Sequence, residues 1–225
     1  YNTLIGIDAG LANTTGSSNV ATGFRSLYSN TTANNNVAYG NQALFSNTTG
    51  SPNCAFGTSA LKSNTEGSKN CAVGHEALMT NDTGEENTGI GYQALYTSST
   101  GHKNTAIGAS ALYSNTGSEN TASGYAALYA NTSGEKNTAN GSLALFSNTS
   151  GNRNTAIGWS ALYLNTTGHS NTASGYAALY VNETGIRNTA SGWCALYSND
   201  GSDNSAFGYK ALNNNSSGNY NTAVG

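Results

Sequence analysis

Residues 154–170 read NTAIGWSALYLNTTGHS and residues 171–187 read NTASGYAALYVNETGIR, two successive copies of one 17-residue unit. In general form the unit is N-T-A-x-G-Y-x-A-L-Y-S-N-T-T-G-x-x. Its opening Asn, followed four residues later by Gly, occurs fourteen times, from Asn2/Gly6 to Asn221/Gly225. The step is 17 residues except twice, where it is 16. Both short units have lost a residue at one place, since Asn115-Thr116-Gly117 and Asn199-Asp200-Gly201 stand where others read Asn-Thr-Thr-Gly. A deletion confined to one site marks that site as a turn, and a fixed period of this size marks an array of stacked units.

Within each unit two apolar runs, Thr-Ala-Ile and Ala-Leu-Tyr, alternate with polar segments centred on Gly. Short runs rich in Thr, Tyr and branched residues between Gly/Asn clusters read as strands, and nothing sustains a helical period. Gly permits positive φ at such corners, and Asn and Thr side chains bond their own backbone there. The pattern predicts an all-β fold, a parallel β-solenoid with about 17 residues per coil and thirteen to fourteen coils, forming one array over 1–225. Each coil is expected to hold two short strands and two corners. At ~4.8 Å per rung, thirteen periods would stack to roughly 60 Å. The chain begins and stops inside the repeat, so the array reads as a fragment of a longer fibre.

Stacking turns repeat positions into columns. The invariant Asn, with Asn104, Asn120, Asn137, Asn154, Asn171 and Asn188 among its members, predicts a structural ladder in which each amide bonds the next. The small column through Ala106, Ala122 and Ala139 fits the interior of a narrow coil. Read as a strand, Ala-Leu-Tyr sends Leu to one face and Ala with Tyr to the other. One column, Leu27 to Leu212, fills the coil. The other carries Tyr113, Tyr129, Phe146, Tyr163, Tyr180 and Tyr197, and an apolar stripe of that length exceeds what soluble monomers commonly expose. Another copy of the chain would cover it, most naturally in a parallel homotrimer.

Composition excludes several classes. Only 8% of residues are charged, net charge is -3, and no stretch gathers Lys and Arg, so the footprint that phosphate binding requires is missing and no nucleic acid is expected. No apolar run approaches the length of a bilayer span, so no membrane insertion is expected. Three cysteines are too few for a disulfide framework. Cys54 and Cys71 fall one period apart, close enough for a bond if stacked, yet both occupy a column of small residues and read more simply as replacements for Thr.

Catalysis needs unlike groups brought to one place. Here the recurring residues are Asn, Gly, Ala, Leu and Thr, and His75, His102 and His169 fall at different repeat positions or on distant coils. No enzyme, metal or cofactor is expected. Glu85, Glu86, Lys103, Lys136, Arg153 and Asp203 collect after the turn Gly and read as solvated charge. Three features bear on recognition. Tyr125, Trp159, Tyr176 and Trp193 follow the unit's first Gly, where rings either pack at a corner or seam or stack on glycans. Asn-x-Ser/Thr recurs, at Asn47 and Asn148 for example, as a glycan acceptor or simply as a turn. A Thr column, Thr88 to Thr189, invites ice binding, although Val20, Val37, Cys54 and Cys71 interrupt it.

The recurring N-T-A-x-G-Y-x-A-L-Y unit, at 104–113, 154–163 and 171–180, resembles the head repeats of trimeric autotransporter adhesins and related phage or bacterial tail-fibre proteins. That resemblance implies a trimeric β-roll at a cell or virion surface that contacts a host glycan or receptor. The expectation is therefore an extracellular fibre segment serving attachment or as a rigid spacer, with an ice-binding or glycan-binding solenoid as the alternative.

Overall fold

The structure, a computed structural model, describes residues 1–225 and is an all-β parallel solenoid of about thirteen coils spaced roughly 17 residues apart, with no helix. It divides into two units, Tyr1–Thr116 and Gly117–Gly225. The first carries β1 (Thr3–Ile5), β2 (Val20–Thr22), β3 (Val37–Tyr39), β4 (Cys54–Phe56), β5 (Cys71–Val73), β6 (Thr88–Ile90) and β7 (Thr105–Ile107). The second carries β8 (Thr121–Ser123), β9 (Thr138–Asn140), β10 (Thr155–Ile157), β11 (Thr172–Ser174), β12 (Thr189–Ser191), β13 (Ser198–Asn199), β14 (Ser205–Phe207), β15 (Asn214–Asn215) and β16 (Thr222–Val224). Within each unit the three-residue strands pair in parallel with their sequential neighbours, equivalent positions directly opposite: Thr155, Ala156 and Ile157 face Thr172, Ala173 and Ser174. The middle Ala points inward, and Ala156 and Ala173 are fully buried while the residues on either side face out.

The second apolar run is not a strand. In the coil 171–187, Ala177 and Leu179 have φ of 50° and 51°, and every member of the Leu column has positive φ. Positive φ at alternate residues curls the run into successive turns, closed by Ala178 N–H donating to Gly175 O at 3.4 Å. Side chains consequently do not alternate between faces: Ala178 and Leu179 are both fully buried. Holding an L-residue left-handed costs roughly 1–2 kcal/mol, whereas burying a Leu contributes about 1.5–3 kcal/mol. Two residues per coil carry that strain, so burial of Leu179 together with Ala178 and the backbone bonds to neighbouring coils offset it jointly. The run also keeps its backbone bonded to its neighbours, Ala177 N–H to Trp159 O at 2.9 Å and Leu179 N–H to Ala195 O at 3.0 Å.

Two buried asparagine ladders hold the corners. In the first, the column that opens the unit, amides bond amides at several steps, Asn104 Nδ2 to Asn87 Oδ1 at 3.1 Å and Asn137 Nδ2 to Asn120 Oδ1 at 3.2 Å, and they also bond the backbone. Asn171 N–H donates to Asn154 Oδ1 at 2.9 Å, and Asn154 Nδ2 donates to Gly168 O at 2.8 Å, tying the coil's start to the following turn. The second runs through the turn Asn that sequence reads as a glycan acceptor or a simple corner. There too the amides bond one another, Asn165 Nδ2 to Asn148 Oδ1 at 2.8 Å and Asn182 Nδ2 to Asn165 Oδ1 at 3.0 Å, each also donating to its own turn glycine. Asn148, Asn165 and Asn182 are fully buried. The turn glycines are fixed by crowding, because a Cβ on Gly168 would lie 2.4 Å from Asn165 Oδ1 and 2.6 Å from Gly185 O.

Candidate functional site

With the ladders and the Ala and Leu columns inside, three surfaces remain for recognition: the outward face of the strands, the corner rings, and the rings that follow Leu.

The post-Leu rings stack along the coil axis. In the first unit Tyr28–Phe45 and Tyr96–Tyr113 have centroids 5.0 Å apart. In the second, Tyr129, Phe146, Tyr163, Tyr180 and Tyr197 form one unbroken stack at 5.0–5.2 Å with planes within 11°. Each ring covers its neighbour's face, so the stripe is half-buried within a single chain. Burial pushes the Tyr180 phenol above its ordinary value, with Tyr163, Tyr197 and Tyr176 adding to the rise.

The corner rings are more exposed, Tyr125 at 61% and Trp159 and Tyr176 at 45%. Trp159–Tyr176, Tyr176–Trp193 and Trp193–Tyr209 stack at 4.8, 5.6 and 5.0 Å. The consequence for sugar binding is direct. A pyranose stacks on a ring's face, and Tyr176 and Trp193 have neighbouring rings on both faces, leaving their edges to solvent. Trp159 and Tyr125 are separated by the coil carrying Ser142 and do not stack on each other. Ring faces therefore become free where a column is interrupted.

One interruption forms a hollow. The stack ending at Tyr197 meets Asn213 on the next coil instead of an aromatic residue, and Asn213 Nδ2 is held by Cys194 O at 3.1 Å. An open cavity of about 380 Å³ results, lined by Tyr176, Trp193, Cys194, Tyr197, Lys210 and Asn213. The Lys210 ammonium sits 5.3 Å from the Trp193 centroid and 5.4 Å from that of Tyr209. Cys194 forms the buried floor; burial raises its thiol above the ordinary value, opposed by the Lys210 charge. The sequence signal for this site is a single Asn in a column of rings.

The strand face is uncharged. Neither outward column holds a charged residue in any of the fourteen three-residue strands, although the chain has eight basic and eleven acidic side chains. The two units differ there. In the first the face is largely apolar, with Val20, Tyr39, Phe56, Val73, Ile90 and Ile107 exposed. In the second, Thr121, Thr138, Thr155, Thr172, Thr189, Ser205 and Thr222 form an unbroken hydroxyl column, so every residue of this column that lacks a hydroxyl lies in the first unit. Cys54 and Cys71 are paired in register on that first face as free, half-buried thiols, and burial, then Cys71, raises the Cys54 thiol.

Turn charges form surface pairs, Lys69 Nζ to Glu86 Oε1 at 3.0 Å and a two-pronged contact of Arg187 with Asp203 at 2.7 and 2.8 Å. These bonds hold the Glu86 and Asp203 carboxyls below their ordinary range. No three His, Cys, Asp or Glu side chains converge as metal ligands would, and no helix is long and apolar enough to cross a membrane. A scan against protein-family models and searches of curated proteins and of solved structures find no match.

Proposed function

We propose that the chain is a rigid segment of an extracellular fibre, serving attachment or holding a binding tip away from a surface. The observation carrying this reading is the paired buried amide ladders. Each coil within a unit is fastened to the next at two corners, by bonds such as Asn171 N–H to Asn154 Oδ1 and Asn182 Nδ2 to Asn165 Oδ1. A unit whose every coil contacts only its neighbours gains stiffness by repetition of such fastenings. The uncharged strand face supports side-by-side assembly, because charges are depleted at the core of protein interfaces. A parallel trimer with that face at its axis would cover Tyr39, Phe56 and Ile107, which are 55%, 41% and 45% exposed. The post-Leu rings, already stacked on each other, would remain outside.

Native mass spectrometry is expected to show three chains per particle, and a single-chain mass at micromolar concentration would remove the trimer. Immunogold labelling of producing cells or virions with antibody to this chain should decorate surface filaments; label confined to the cell interior would overturn the fibre reading.

The unbroken hydroxyl column of the second unit favours a second reading, ice binding, in which Thr side chains at rung spacing order water. The two readings compete for one face, since a trimer buries the hydroxyls that ice must meet. Thermal hysteresis lost on replacing Thr155 and Thr172 with Tyr would support it, and a folded chain without hysteresis would remove it.

A further inference from the structure

We propose that the hollow beneath Tyr197 is a binding site for a carboxylate-bearing sugar, its ring laid on the open face of Tyr197 and its carboxylate on Lys210. The inference deepens the attachment reading by naming what the segment would hold, and it rests on that reading for its biological setting alone.

Three observations carry it. First, Tyr197 presents a ring face where its column is interrupted. Tyr129 through Tyr197 cover one another at 5.0–5.2 Å, and the stack stops at Tyr197 because position 213 is Asn. The flat apolar face of a pyranose, with its axial C–H groups, needs a surface of this kind, and the aromatic quadrupole presents its negative face to those hydrogens.

Second, the hollow carries charge of one sign. The position between corner ring and buried Ala is Ala126, Leu143, Ser160, Ala177 and Cys194 on the preceding coils of this unit, and becomes Lys only at 210. Lys210 is exposed and rests against Trp193 and Tyr209, which orients its ammonium beside the cavity without neutralising it. No carboxylate lines the cavity. An anionic group is therefore the complementary partner.

Third, the remaining polar group suits a hydroxylated ligand. Asn213 spends one amide hydrogen on Cys194 O, leaving its other hydrogen and its oxygen for sugar hydroxyls. At about 380 Å³ the space lies at the lower end of ligand-site volumes, the size of one sugar residue instead of a long chain. Trp193 and Tyr176 act as walls through their ring edges.

The test is titration of the folded chain with glucuronate, N-acetylneuraminate and, as neutral control, glucose, read by Trp fluorescence and by amide shifts at Cys194, Tyr197 and Asn213. The expected result is saturable binding of at least one acidic sugar with shifts confined to this hollow. Lys210→Gln keeps most of the side chain and should weaken binding about tenfold, the scale of one hydrogen bond to a charged group. Asn213→Tyr continues the ring column as in the preceding coils, so it should fold while abolishing binding. Absence of saturable binding by the parent chain, glucose binding as tightly as the acids, or undiminished binding by either variant would each overturn the site. None of those outcomes would touch the fibre reading, which stands or falls on surface labelling.

Discussion

Replacing Asn154 separates what its amide gives as donor from what it gives as acceptor. Its oxygen accepts from Asn171 N–H at 2.9 Å and its nitrogen donates to Gly168 O at 2.8 Å, all without solvent contact. In Asn154→Ala the Gly168 carbonyl keeps its bond from Asn165 Nδ2 at 3.0 Å, but the Asn171 N–H is left buried without an acceptor. An orphaned buried donor costs about 1–3 kcal/mol and the lost bond about 1 kcal/mol, giving roughly 2–4 kcal/mol at any pH. Asn154→Asp behaves differently. Protonated, the carboxyl accepts from Asn171 and donates its O–H to Gly168 O, reproducing the amide. Ionised, it points charge at a carbonyl without water. Burial should raise its folded pKa by roughly two to three units, net of the N–H that still donates to it, equivalent to about 3–4 kcal/mol. Because the folded pKa lies above the unfolded one, the native state binds the proton more tightly. The loss is therefore absent below about pH 4, grows through the folded pKa and is complete near pH 8. Urea unfolding of both variants against the parent chain at pH 3, 5 and 8, with hydrogen exchange at Asn171, would measure this. A penalty for Asn154→Asp equal at pH 3 and pH 8, or unchanged Asn171 exchange in Asn154→Ala, would refute the bonding scheme.

Gly175→Ala should destabilise the second unit by about 3 kcal/mol, since φ there is +138° and a Cβ would lie 2.4 Å from Gly192 O; a melting curve matching the parent chain would contradict this. Cys54 and Cys71 are register partners on adjacent strands, about 4.8 Å apart at Cα, within the range a disulfide spans. Oxidised glutathione should link them by exchange, each bond formed releasing two glutathione thiols, and a tryptic digest should join peptide 26–62 to peptide 70–103. Separate glutathione adducts on the two peptides would show that the sulfurs do not meet. Asn47, Asn81, Asn148, Asn165 and Asn182 are fully buried, so chains made in a eukaryotic secretory pathway should carry no glycan at these positions once folded. A protease-resistant glycosylated species, found by mass spectrometry, would count against the second ladder.

The period made the stacking legible. Once equivalent letters lie 17 apart, parallel register, an inward Ala and an inward Leu follow from the size and polarity of each column. What the letters did not reveal is handedness of backbone at single residues. Ala-Leu-Tyr carries strand formers, and strand logic would send Leu179 and Ala178 to opposite faces; left-handed φ at Leu179 puts both inside. No local preference signals that conformation for Leu, because it is sustained by burial and by the bond to Ala195 O. The same gap hid the state of the rings. Columns of Tyr and Trp were legible as columns, but whether they present faces or edges depends on side-chain angle, and the stacking of Tyr176 between Trp159 and Trp193 turns a presumed sugar platform into a wall.

The second ladder was readable, had the column been asked what it excludes. From Asn13 to Asn215 the turn position holds Asn on every coil but one, while its neighbour varies among Thr, Glu, Asp and Ser. A solvent-facing turn would accept Asp or Ser at the first of these positions as readily as at the second. A buried chain of bonds would not, because each member must both accept from one coil and donate to another. Asp at neutral pH accepts only, whereas Asn does both. The exception supports the rule: Ser98 replaces Asn in this column, and its hydroxyl is buried without a hydrogen-bond partner. A column that keeps the amide and rejects its acid is the written form of a hydrogen-bond relay, and in this chain there are two.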